Sequence, residues 1–179
     1  MKKTQTLNLT YTAIGVALIA ALSQVVIPIG PVPFTLQTLA IGLIASLYKP
    51  REAILSVIFY LLLGAIGLPV FAGFSGGFSA LFGPTSGFLW GFVLYAAITS
   101  TISKAHPTPT GNAIACFLGV LACFLIGSLV FKLVSGADWA STLAWTVSPF
   151  LLPEILKIIT IISLVKALKP ILKKEAYFS

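Results

Sequence analysis

A chain of 179 residues that is 58% hydrophobic and only 8% charged, with a mean hydropathy of +1.07, has too few charged side chains to coat a water-soluble globule. The composition excludes a soluble enzyme or soluble nucleic-acid binder and identifies a membrane protein. A formal charge of +7 would suggest nucleic acid in a soluble chain, but here the basic residues lie between apolar runs and at the ends, where they set topology; no nucleic-acid partner is expected.

A helix crossing a bilayer needs about 20 mostly apolar residues, so this length accommodates about six. The expected fold is all-α, a single domain over residues 1–179 built as a bundle of six transmembrane helices. Lys2 and Lys3 precede an apolar stretch, as in a signal peptide. The run from Leu7 to Ile27 exceeds the usual 7 to 15 residue apolar core of such peptides, however, and is read as a retained first span. IPIGPVPF closes it with three prolines that cannot continue a helix. A short second span follows over 35–48, then the polar break KPRE, with Pro50 placed to open the third span at 53–67.

Leu68-Pro69 ends that span and begins a long connection containing FAGFSGGFSALFGPTSGFLWGF, residues 71–92. The fourth span, 85–102, stops at SKAHPTPTGN, and the fifth, 113–134, is followed by SGADWAST, read as a loop. The sixth covers 149–168 and ends in a basic tail. With six spans, Lys2, Lys3, Lys49, Arg51, Lys104, Lys166, Lys169, Lys173 and Lys174 fall on one side and Lys132 near the other. The positive-inside rule then places both termini in the cytoplasm and the loop between spans three and four outside. No run alternates apolar and polar residues as a membrane barrel requires. Cys116 and Cys123, seven apart in one run, are read as small packing residues.

GFSGG fits the G-x-S-x-G pattern of a serine nucleophile at Ser75, but a nucleophile needs a histidine in reach. The sole histidine, His106, belongs to a loop on the opposite membrane face, so no catalytic residue is assigned and the chain is read as a non-enzyme. One histidine and two distant cysteines offer no metal cluster, no cofactor is expected, and the sequence holds no G-x-x-x-x-G-K-[ST] phosphate loop.

Glu154 and Lys157 are the charges that need a reason, because each ionised side chain at a helix centre costs about 2.5 to 3.5 kcal/mol on insertion scales. At spacing i, i+3 they share a helix face. Two readings follow: a self-satisfied ion pair, or a polar site facing the bundle interior. A carboxylate accepts and an ammonium donates, so together they suit a neutral ligand with N–H and C=O side by side, such as an amide, urea or lactam edge. Gly73, Gly76, Gly77 and Gly83 permit tight backbone paths over such a site. Phe71, Phe74, Phe78 and Phe82 either wall it or form one side of a short interfacial helix. Ala13, Ala17 and Ala21 recur every four residues, beside Gly15, and make a small-residue face for packing within the chain or against a partner.

PVPFTLQTL at 31–39, the glycine-rich segment from Gly67 to Phe92, and PEILK at 153–157 resemble the BioY family, the biotin-binding S components of energy-coupling factor (ECF) transporters. The resemblance implies a multi-pass protein of the bacterial plasma membrane that captures biotin with high affinity from outside. It also implies partners in the lipid bilayer: a transmembrane T component, docking on Ala13, Ala17 and Ala21, and two ATPase subunits. By the same resemblance Glu154 and Lys157 contact the ureido ring, and Thr35, Gln37, Gly73, Phe74, Ser75 and Gly76 close over the ligand. Departures from the family pattern are Glu154 in place of Asp, Ser75 in place of an Asn found in relatives, and Leu89 where some carry an Arg for the biotin carboxylate. Backbone N–H groups of the loop or Lys132 then become the candidates for that carboxylate. The alternatives are an S component for another small vitamin and a membrane assembly protein that transports nothing.

Overall fold

The computed structural model describes residues 3–172, 175 and 177; Lys2, Lys173, Lys174 and the side chain of Lys3 lie outside the described residues. Helix α1, Lys3–Ser23, runs uninterrupted until the proline-rich segment that follows it. That segment folds back on itself: β1, Val26–Ile27, pairs antiparallel with β2, Phe34–Thr35, in the register Val26↔Thr35 and Ile27↔Phe34. The second helix, α2, starts only at Gln37 and ends at Leu47. Thr35 is therefore a strand residue rather than the first residue of a span, because Pro33 and the ladder hold the backbone extended up to that point.

Helix α3, Pro50–Ala65, opens with proline at its first position, as its sequence predicts. After two short 3-10 turns, Ala72–Phe74 and Phe78–Leu81, the chain enters α4, Ser86–Ala105. In α5, Pro109–Ser135, Thr108 caps the start by accepting from Gly111 N (3.0 Å), and Gly136 in the left-handed region (φ +71°) ends it. SGADWAST is not a loop. Asp138 accepts from Ser141 N at 2.6 Å and starts a helix, α6, Trp139–Thr146; the same N–H holds the Asp138 carboxyl below the usual carboxylate range. Eight residues rise only about 12 Å, too little to cross a bilayer. A 3-10 turn at Ser148–Phe150 leads into α7, Leu151–Leu172.

Among the described residues three helices are long and apolar enough to cross a membrane: 5–23, 86–105 and 109–135. Helix α7 matches them in length but carries Glu154, Lys157, Lys166 and Lys169. The most extensive interface joins α4 and α5. It depends on small residues, since apolar burial drives little association in lipid and close backbone approach must supply the contact. A Cβ on Gly87 would lie 2.7 Å from Ile126 O, and one on Gly91 would lie 3.0 Å from Cys123 Cα.

The connections divide between two ends of the bundle. One end gathers the 24–36 segment, the 66–85 loop, α6 and the start of α7. The other carries the tyrosines 11, 48 and 177, with Tyr11 stacked on Tyr177 at 4.2 Å between centroids and Lys49 Nζ 4.9 Å from the Tyr177 ring.

Candidate functional site

Glu154 stands in the first turn of α7, where the helix dipole favours an anion, and Lys157 follows one turn later. Each is 5% exposed, so both charges are held away from solvent and need partners. Lys157 Nζ donates to Glu154 Oε1 (2.6 Å), to the Thr35 carbonyl (2.7 Å) and to Thr38 Oγ1 (2.8 Å), and lies 4.3 Å from the centre of the Phe34 ring. Its three N–H bonds all end on protein acceptors. Thr38 Oγ1 donates in turn to Glu154 Oε1 at 2.7 Å. The β1–β2 ladder explains the remote partner: it fixes Phe34 and Thr35 directly above the ammonium.

The other carboxylate oxygen differs. Glu154 Oε2 is buried and has no hydrogen-bond partner among the described residues. A buried acceptor left unpaired costs on the order of 1 to 3 kcal/mol, more when charged. Glu154 and Lys157 line a cavity of about 190 Å³ together with Thr35, Gln37, Thr38 and Ser75. Gln37 is engaged at both ends, with Thr35 Oγ1 donating to its Oε1 (2.8 Å) and its Nε2 donating to Tyr60 OH (2.5 Å). The apolar wall is Phe71, Phe88, Leu89, Phe92, Phe124 and Phe150.

Of the residues singled out in the glycine-rich loop, Ser75 reaches the cavity, and its hydroxyl donates to Ala72 O at 2.8 Å. Gly73, Phe74 and Gly76 do not line it. They shape the turn behind: Gly73 (φ +67°) and Phe74 (φ +57°) are both left-handed, a conformation that costs a non-glycine residue roughly 1 to 2 kcal/mol. A Cβ on Gly76 would collide with the Leu68 carbonyl. Phe71 is buried and lines the cavity, but Phe74, Phe78 and Phe82 are 70%, 67% and 62% exposed and point away from it. Most of the aromatic wall comes from the helices α4 and α5 and the turn before α7. Phe88 and Phe92, four apart on α4, carried that signal in their spacing; Thr38, one residue beyond Gln37, carried none.

Lys132 lies outside the cavity lining, 5.2 Å from the Trp139 ring centre. His106 caps the far end of α4, about 30 Å of helix from its start near Ser75. Ala13, Ala17 and Ala21 are all exposed on one side of α1, whereas Gly15 packs inward on Ser56 and Tyr48.

The sequence model of the BioY family matches residues 1–174. The chain belongs to the BioY family. It is 42% identical over 173 residues to the biotin transporter BioY2 of Lactococcus lactis subsp. cremoris, covering 94% of this chain and 95% of that protein. It is also 33% identical over 162 residues to a probable biotin transporter BioY of Pyrococcus horikoshii, covering 90% and 96%. Among solved structures it superposes on the S-component for biotin from an ECF-type ABC transporter with a TM-score of 0.87 at 28% identity, over the whole of both chains. A BioY family member is a transport protein rather than an enzyme, and Ser75 has the surroundings of a loop residue, not of a nucleophile.

Proposed function

We propose that this chain is the substrate-capturing S component of an ECF-type importer and that its cavity binds biotin. The observation that carries the site assignment is the buried, unpartnered Oε2 of Glu154, a residue that lines the cavity. A ureido N–H supplies the missing donor, and the aromatic walls suit the apolar remainder of the ligand. Lys157 holds Glu154 in orientation through their direct bond. It receives the ureido oxygen by giving up its bond to Thr38, whose hydroxyl keeps its own bond to Glu154. Thr35 and Gln37 hold this wall in place, and the 70–77 segment, with Gly73, Phe74, Ser75 and Gly76, closes the opposite side as a lid. With Leu89 on the wall and Lys132 outside it, backbone N–H groups of the loop are left as the partners of the valerate carboxylate.

In the bilayer, α1 to α5 and α7 are the six membrane helices of a single domain in the bacterial plasma membrane; α2, with 11 residues and about 17 Å of rise, reaches only part of the way across. Both termini are cytoplasmic and the cavity opens outward, in line with the basic residues Lys49, Arg51, Lys104, Lys166 and Lys169 at the other end. A phosphate-binding loop is missing from the sequence, so uptake requires an energising module, a transmembrane T component with two ATPase subunits. The exposed Ala13, Ala17 and Ala21 face of α1 is its docking surface.

Equilibrium titration of the purified protein with biotin tests the ligand: tight saturable binding at neutral pH is expected, and its absence overturns the assignment. Ala17→Trp tests the docking face. It should abolish co-purification of the T component and leave biotin binding unchanged; intact assembly would move the docking surface elsewhere.

A further inference from the structure

We propose that Gln24, the first residue after α1, is the clamp that holds the lid shut and thereby sets how long the ligand stays; the inference rests on the biotin-binding reading above. The side-chain amide reaches across to the 70–74 backbone with both of its ends. Gln24 Oε1 accepts from Phe74 N at 2.7 Å. Gln24 Nε2 faces four acceptors: Ser23 Oγ (2.7 Å), Ala20 O (3.1 Å), Phe71 O (3.2 Å) and Val70 O (3.3 Å). Only one orientation of the amide satisfies this set, because an N–H must meet an acceptor and carbonyls must meet donors. Ser23 Oγ, fully buried, reinforces the tie by approaching Val70 O at 2.6 Å.

The clamped residues are the ones that shape the lid. Phe74 is the sole non-glycine residue with positive φ among the described residues, and the N–H that Gln24 holds is its own. A backbone held in a sparsely populated conformation persists only where its surroundings over-determine it. Within the segment itself, the Phe71 N to Ser75 O bond (2.9 Å) closes the turn, and Gly77 N donates to Gly64 O of α3 (2.7 Å) at its far end; Gln24, with Ser23, ties the turn to the end of α1. Phe71, whose carbonyl Gln24 also engages, is 3% exposed, lines the cavity and packs edge-on against Tyr60 at 5.4 Å. Tyr60 accepts from Gln37, on the opposite wall. Gln24 touches nothing in the cavity and so acts as a positioning residue, through the lid.

The test uses the full chain in two arms. In the wild type, hydrogen exchange should find the Phe74 amide protected although the residue is 70% exposed; free exchange there overturns the proposal whether or not any variant folds. Gln24→Leu keeps the side-chain bulk and removes the amide. It should speed exchange across 70–77 by about tenfold or more while α4 and α5 are unchanged, and raise the biotin dissociation rate about tenfold with little change in association. A purely structural role would lower the fraction of active protein and leave the dissociation rate of the remainder at the wild-type value; that outcome also overturns the clamp. If the wild type binds no biotin, the functional reading fails and the exchange arm still decides the clamp.

Discussion

The two walls of the cavity are built by opposite means. On α7, Glu154 and Lys157 project from a regular helix, and their bonds to Thr35 and Thr38 tie α7, β2 and α2 together. The lid across from them, residues 70–77, has scarcely any helix and keeps its shape through left-handed turns at Gly73 and Phe74, backbone bonds, and Gln24. A wall of buried charges resists motion, because breaking it strands a charge in a dry site. A wall of backbone turns can open at the cost of a few hydrogen bonds. On the proposed reading, the site pairs a rigid recognition surface with a movable cover.

Removing a member of the charged wall should have the largest effect. Lys157→Ala leaves Glu154 buried without its counter-charge, a loss of about 3 to 5 kcal/mol. Biotin titration should show affinity falling more than a hundredfold; an affinity within threefold of wild type would show that the wall is not the recognition surface. Gly76→Ala attacks the cover: its Cβ meets the Leu68 backbone, with the carbonyl carbon at 3.0 Å. About 1 to 3 kcal/mol of strain should appear as faster hydrogen exchange in the lid and roughly tenfold weaker binding, with the α4–α5 pair unaffected. Ser75→Ala is the smallest change, since one exposed hydroxyl loses its bond to Ala72 O. It should cost about 0.5 to 1 kcal/mol, less than fivefold in affinity. An effect of Ser75→Ala equal to that of Lys157→Ala would erase the distinction between the two walls.

How much of this was legible beforehand differs between the walls as well. Glu154 and Lys157 announced themselves, because ionised groups in an apolar run are costly wherever the helix faces. Their partners did not. Thr38 becomes a ligand of both charges only because the β1–β2 ladder and α2 bring it beside α7, 116 residues away from Glu154. The phenylalanines of the loop left two readings open for the converse reason: lipid, membrane interface and protein interior all accept phenylalanine, so hydrophobicity could not tell that Phe71 is buried while Phe74, Phe78 and Phe82 are exposed. Helix α6 was hidden inside a polar-looking stretch, its start set by the Asp138 cap rather than by an apolar period.

The sequence by itself determined the solvent, the order of the long helices, the presence of two charges on one face of an apolar run and the family, because each depends on composition, length or motifs that no packing can alter. Tertiary structure alone decided that one oxygen of the cavity-lining Glu154 is left without a partner, that the aromatic wall comes from α4, α5, the turn before α7 and Phe71 of the loop, and that Gln24 reaches the 70–74 backbone. These are relations between distant segments. A run of residues apolar on every side carries no record of which side meets protein and which meets lipid, so only the packed bundle could reveal them.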